Sequence, residues 1–270
     1  MPHTYSLAYL TSAPLAPPEA LTLAGRLGYQ AIGVRIAPAL VGGAFSPLTT
    51  DARLLSETVA RIKATGVAVF DVEIVRINAE FNVKDWAPFL DVSAALGARA
   101  ILVAGDDPNE ARFTASFAAF CEAAAVYNLT ADLEFMPWTK VPDCKTALRI
   151  VTMVDQPNGR VLIDTLHAGR STTTLADLKA VPRHRISYAQ ICDAPAEMPT
   201  TLEGLIHTAR AARLLPGAGG LDLLGMLRQL PNDLALSLEI PNDEAVKRLG
   251  IEAWCRNALA AAKAVVATAG

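Results

Sequence analysis

Short apolar runs alternate with longer amphipathic stretches along this chain, and the alternation repeats eight times. The runs lie at Tyr5–Tyr9, Ala31–Ile36, Val67–Ile74, Arg99–Val103, Leu129–Phe135, Val161–Asp164, Ile186–Ile191 and Leu234–Glu239. Such runs, rich in Val, Ile and Leu and closed by turn residues, predict strands buried on both faces. Between them, apolar spacing predicts helices over Pro18–Leu27, Asp51–Ala64, Lys84–Leu96, Asn109–Tyr127, Asp143–Val154, Thr174–Val181 and Leu221–Gln229, with a last one over Asp243–Val266. Gly28, Gly66 and Gly97 fall just past three of these helices, where a C-cap glycine belongs. Parallel strands need a crossover, so the alternation predicts a parallel sheet, and eight units predict a closed (β/α)8 TIM barrel.

Parity within the runs agrees. In Leu234–Glu239 the leucines take one face, while Ala235, Ser237 and Glu239 take the other. Thr130, Asp132 and Glu134 share a face opposite Ala131, Leu133 and Phe135. Large apolar groups then face the helices, and small or polar groups point into the barrel. An open doubly wound sheet is the alternative. It is weakened because no G-x-G-x-x-G or G-x-x-x-x-G-K-[ST] loop is present, and Gly217-Ala218-Gly219-Gly220 follows no strand directly. No linker or repeat divides the 270 residues, so residues 1–270 are expected to form a single barrel. Pro14–Pro18 and Pro195–Pro199 read as loops.

Composition adds mainly exclusions. Hydrophobic residues make up 52% of the chain and charged residues 19%, enough for a large core. The net charge of −3 and the lack of a Lys/Arg stripe predict no nucleic-acid partner. No apolar run reaches membrane-spanning length, and the Ala-rich tail carries Lys263 as an amphipathic helix would. The N-terminal Met-Pro-His-Thr-Tyr-Ser-Leu has no basic segment followed by an apolar one, which predicts a cytoplasmic protein. Cys121, Cys144, Cys192 and Cys255 form no C-x-x-C pair and read as reduced, structural thiols.

The candidate chemistry lies at strand ends. Glu134, Asp164, Gln190 and Glu239 each follow or close an apolar run. Burying such a group is costly unless a partner takes its charge. Four of them on neighbouring strand ends predict one shared divalent cation at the barrel's C-terminal mouth. The neutral amide oxygen of Gln190 suits Mn²⁺ or Mg²⁺ better than zinc. Glu73 and Arg76, near the end of the third run, are expected either to line the pocket or to pair with each other. Trp138, after Met136-Pro137, is expected as a pocket wall. His3, His184 and His207 match no motif.

Taken in order, these residues resemble the xylose-isomerase-like TIM barrels, a superfamily of sugar isomerases and epimerases, inosose dehydratases and apurinic endonucleases. The resemblance covers nearly the whole chain and is strongest from Leu129 to Pro241. Glu134, Asp164 and Glu239 match three of the family's four metal positions, and His167 matches its D-x-x-H element. Arg213, ahead of Pro216-Gly217-Ala218-Gly219, resembles the family arginine that contacts substrate oxygens. One position departs: Gln190 stands where most of the family's isomerases and epimerases carry His. Its Q-x-x-D setting, Gln190 to Asp193, resembles the 3-dehydroshikimate dehydratases of the superfamily.

The resemblance implies a metal-dependent isomerase or epimerase acting on a small polyhydroxylated carbonyl compound through an enolate. Glu134 and Glu239 would move the proton, and His167 would donate to a carbonyl or leaving hydroxyl by changing charge near neutrality. A metal-dependent dehydratase shares the first step and is the alternative that Gln190 raises. An inactive small-molecule-binding barrel is a third reading, and it would be marked by a missing ligand carboxylate. An apurinic endonuclease would need many more histidines than the four present. Whether the chain forms a homo-oligomer is left open.

Overall fold

In the computed structural model of this chain, which describes residues 3–269, eight strands close into one parallel barrel in sequence order. They are β1 (Tyr5–Leu7), β2 (Ala31–Arg35), β3 (Ala68–Ile77), β4 (Ala100–Gly105), β5 (Thr130–Glu134), β6 (Gly159–Asp164), β7 (Tyr188–Ile191) and β8 (Ala235–Leu238). β8 pairs back onto β1, with Ser237 opposite Ser6, so no strand edge is left open. The ends of the expected single-domain span, Met1, Pro2 and Gly270, lie outside the described residues.

Parity separates two apolar layers. Ala131, Leu133 and Phe135 of the β5 region and Leu236 and Leu238 of β8 join the main cluster beneath the helices. Phe70, Leu102, Met136, Tyr188 and Ala235 form a second, smaller cluster lining the barrel. Each large side chain so buried contributes about 1.5–3 kcal/mol. The helices start where side chains satisfy free amides: Asp51 accepts from Leu54 N, Asn109 from Arg112 N and Asp143 from Thr146 N. The C-cap glycines sit where expected, Gly28 and Gly66 with φ of 86° and 70°.

Several elements differ from the sequence reading. β7 begins at Tyr188, because Arg183–Arg185 forms a 3-10 turn. The last helix is two, Asp243–Leu249 and Ile251–Ala269, broken at Gly250, whose φ of 80° no helix continues through. A helix over Leu202–Ala211, capped by Thr201, precedes β8 where none was expected. The helix expected over Leu221–Gln229 shortens to Leu223–Leu227. β3 runs on to Ile77, and its pairing with β4 is irregular between Val72 and Val75. That irregularity brings Glu73 and Ile74 to the cavity wall. Cys121, Cys144, Cys192 and Cys255 are all buried and unpaired. Among the described residues, no helix is long and apolar enough to cross a membrane.

Candidate active site

The four strand-end residues converge at the C-terminal mouth of the barrel. Glu134 closes β5, Asp164 closes β6, Gln190 lies in β7 and Glu239 follows β8 by one residue. All are buried, Asp164 and Gln190 completely. Glu134 and Glu239 line a cavity of about 110 Å³ together with Glu73, Trp138, His167 and Arg213.

Asp164 does two jobs. It caps the short helix Thr165–Gly169, its Oδ1 accepting from Leu166 N at 2.6 Å and His167 N at 3.2 Å. This fixes His167 one turn further on, with its Nε2 3.7 Å from Glu134 Oε1. The indole of Trp138 stands edge-on to the imidazole at 5.0 Å. Single donor atoms of Glu134, Asp164 and His167 all lie within 4.8 Å of one another.

Arg213 ties this group to Glu239. Its guanidinium pairs with Asp164 Oδ2 at 2.6 Å and with Glu239 Oε2 at 2.7 Å, and its Nε donates to Ala209 O. The backbone places it there: Arg213 N donates to Pro241 O, and Leu214 exchanges hydrogen bonds with Asp193. The Asp193 carboxylate in turn accepts from Gly217, Gly219 and Leu221 N, holding the Pro-Gly-Ala-Gly loop. Gln190 Nε2 donates to Glu239 Oε1 at 3.1 Å, which turns its own Oε1 away from that bond.

The buried site atoms without a hydrogen-bond partner among the described residues include Glu73 Oε1, Glu134 Oε1, Gln190 Oε1 and His167 Nδ1. An orphaned buried acceptor costs about 1–3 kcal/mol, so a buried carboxylate or amide oxygen left this way calls for an electrophile. The donor set fits a divalent cation that takes hard oxygen ligands. Glu134, Asp164 and His167 form the tightest triad, and Gln190 and Glu239 extend it.

The charges split the carboxyls. Burial pushes Glu134 well above its ordinary value, and the charges of Glu239 and Asp164 add to the rise. Burial also raises Glu239, to about 8, although Arg213 opposes it. At Asp164 burial is outweighed by Arg213 and His167, leaving its carboxyl below the ordinary value. Burial pushes His167 down to about 4. The imidazole is therefore neutral at neutral pH, a correction to the expectation that it changes charge there: desolvation wins over the nearby Asp164.

Glu73 and Arg76 do not pair. Three residues along a strand separate them by roughly 10 Å. Glu73 instead accepts from Arg35 Nη2 at 2.6 Å, and Arg76 pairs with Asp106. Arg35, over the Tyr9 ring at 4.6 Å, is a cavity residue that the sequence reading passed over. It carries the same signal as the others, a polar group ending an apolar strand. Arg210 was missed with its helix, whose Gly204 and preceding prolines look like loop.

Comparison with known proteins agrees with this architecture. Residues 21–264 match the profile of a family described as xylose isomerase-like TIM barrel. A 3-dehydroshikimate dehydratase of Pseudomonas aeruginosa is 31% identical over 126 residues, which are 45% of this chain and 19% of that protein. The chain thus matches about a fifth of that relative's length. Among solved structures, an IolI protein with a bound zinc atom superposes with a TM-score of 0.82 at 18% identity, covering 99% of both chains. A D-allulose 3-epimerase from Methylomonas sp. gives 0.72 at 15% identity, covering 98% of each. At these identities the structural likeness speaks for the fold.

Proposed function

The chain belongs to the xylose isomerase-like TIM barrel family, and on that premise we propose that it is a metal-dependent lyase removing water from a small polyhydroxylated carbonyl compound. The observation that carries the reading is the buried set of Glu134, Asp164, Gln190 and Glu239, with unpartnered acceptors beside one cavity. These four side chains would hold one Mn²⁺ or Mg²⁺, which when bound supplies Lewis-acid polarisation of a carbonyl.

The protein's own groups do the rest. Glu239 accepts a proton from the carbon next to the carbonyl; a raised pKa suits it to exchange protons near neutrality, and a cation held beside it would lower that value. Handing that proton to a departing β-hydroxyl breaks the C–O bond and releases water, leaving a double bond. Neutral His167 donates or accepts a hydrogen bond without taking on charge. Arg213 keeps Asp164 and Glu239 aimed, as partners of ligating carboxylates do. Trp138 braces the imidazole edge-on. Gln190 and the match to a dehydratase favour dehydration over other fates of the same carbanion.

Isomerisation or epimerisation is the second reading. It is favoured by Glu134 and Glu239 entering the cavity from β5 and β8 as two proton-handling groups. Assay of Mn²⁺-loaded protein in deuterated water against 3-dehydroshikimate, inososes and ketoses separates the two. A conjugated or aromatic chromophore is expected, and Glu239→Gln should lower its rate by about 10²–10⁴. Solvent deuterium retained in an isomer would move the assignment to epimerisation. Unchanged metal content and turnover in both Glu134→Gln and Glu239→Gln would remove the site from the reaction.

A further inference from the structure

Below the mouth, the barrel interior departs from the usual filling of a closed (β/α)8 sheet. Layers of such a barrel take one side chain from each alternate strand, and branched apolar residues dominate them. Here the odd-numbered strands supply Ser6 from β1, Asp71 from β3, Asp132 from β5 and Tyr188 from β7. Asp71, Asp132 and Tyr188 stand two residues before Glu73, Glu134 and Gln190 on the same strands, and so one layer deeper on the same face. β3 carries an extra residue opposite Ile32 and Gly33, which turns Asp71 inward directly after Phe70. Ser237 of β8, paired with Ser6, joins them from the neighbouring strand.

All five are buried, and each has an oxygen with no hydrogen-bond partner among the described residues: Ser6 Oγ, Asp71 Oδ1, Asp132 Oδ1, Tyr188 Oη and Ser237 Oγ. The Asp71 carboxylate leans over Gly33, where a Cβ would lie 2.8 Å from Oδ2 and 3.1 Å from Oδ1. Because β2 lies between β3 and β1, this carries the carboxylate toward Ser6 and Ser237. Tyr188 comes from the far side of the barrel, its ring 5.3 Å from that of Phe70, and the charge of Asp71 is the largest acting on its hydroxyl. Three hydroxyls thus surround a carboxylate and none donates to it. Such spacing suits the ligands of one hard cation: oxygens about 2.4 Å from an ion stand about 3.4 Å or more apart, at or beyond hydrogen-bond reach.

We infer that the barrel axis holds a monovalent cation, sodium or potassium, bound by Asp71 together with the hydroxyl oxygens of Ser6, Tyr188 and Ser237. The ion lies one layer beneath the site at the mouth and is independent of the reaction proposed there. Charge decides its class. Asp71 has no ion-pair partner among the described residues, whereas Glu73 is answered by Arg35 and the charge of Asp132 is opposed by Arg160. One positive charge therefore balances the layer, and every donor in it is a hard oxygen. Water would join the hydroxyls but leave a buried carboxylate uncompensated, which is costly. Protonating Asp71 would remove the charge but leave the hydroxyls without partners.

Thermal midpoints of the full chain in sodium, potassium or N-methylglucamine chloride at equal ionic strength test the inference, once with chelator and once with saturating Mn²⁺. Sodium or potassium should raise the midpoint saturably, by roughly 3–6 °C at about ten times the dissociation constant, and N-methylglucamine should not. Asp71→Asn should abolish the difference between the salts. Tyr188→Phe, which keeps the ring, should raise the half-saturating concentration about tenfold or more. Crystals soaked in thallium(I) should show an anomalous peak beside Asp71 Oδ1. Equal midpoints in the three salts would assign the layer to water or to a proton and overturn the inference. So would a salt difference untouched by Asp71→Asn or by Tyr188→Phe, or a thallium peak confined to the mouth. If Asp71→Asn fails to fold, Tyr188→Phe and the thallium map decide. A salt effect in the chelated series stands even if Mn²⁺ binds nowhere, so this inference and the proposed function fail separately.

Discussion

Replacing Arg213 by Met tests whether one buried guanidinium holds two of the site's buried carboxylates. Arg213 is 2% exposed and sits 2.6 Å from Asp164 and 2.7 Å from Glu239, both also buried. Methionine keeps most of the side-chain volume and removes the charge. Removing one partner of a buried pair costs about 3–5 kcal/mol, because the stranded charge has lost its compensation. For a chain of this length each kcal/mol moves the midpoint by about 2–4 °C, so the metal-free variant should melt roughly 6–20 °C lower at pH 8. The pH dependence gives a second handle. Arg213 holds the Asp164 carboxyl below its ordinary value, so this contribution is present above the unfolded value of 3.8 and fades as pH falls through the folded one. In the variant burial is opposed only by His167 and the helix-cap amides, so the protonated form of Asp164 is favoured relative to wild type. The deficit should therefore be larger at pH 8 than near pH 4. Mn²⁺ should then stabilise the variant more than the wild type, since a cation becomes the remaining partner of both carboxylates. Arg213→Lys should fall between, because one ammonium cannot span two carboxylates as a planar fork does. A midpoint within 2 °C of wild type at pH 8, or a deficit that grows on acidification, would refute the reasoning; differential scanning fluorimetry across pH 4–9 reads both.

Two further outcomes follow from the same site. The folded value of Glu239, about 8, lies above the ordinary 4.5, so its contribution is complete below 4.5 and is lost as pH rises through 8. Metal-free Glu239→Gln should thus match wild type near pH 4.5 and exceed it in midpoint at pH 8, and calorimetry of Mn²⁺ binding at pH 7 in buffers of different ionisation enthalpy should reveal proton release by the wild type; a variant less stable than wild type at pH 8 would contradict the assignment. Gln190→His replaces a hard oxygen with an imidazole nitrogen, so after exposure to equimolar Mn²⁺ and Zn²⁺ the zinc share measured by elemental analysis should rise, and an unchanged ratio would argue that residue 190 is not a ligand.

Much of the architecture could be read from period alone. Alternation in Leu234–Glu239 and Thr130–Phe135 sends the large apolar groups outward and the polar ones inward, and the two apolar layers fall out accordingly. The strand-end positions of Glu134, Asp164 and Glu239 follow from the same pattern. Weakly patterned segments were harder. The helix Leu202–Ala211 hides behind prolines and an internal glycine, and with it went Arg210. Gly250 splits the last helix through a backbone conformation that apolar spacing does not register.

What the sequence determined by itself was periodicity: eight strand–helix units, the face each strand residue takes, and hence an oxygen-rich barrel mouth. What only the tertiary structure decided was which charges meet. Arg213 lies 49 residues from Asp164 along the chain and 2.6 Å from it in space. That contact lowers Asp164, while burial beside the other carboxylates raises Glu134 and Glu239 and keeps His167 neutral. Side-chain direction is a local property set by the backbone repeat. Protonation depends on distance and desolvation, and both come into being only when the barrel closes.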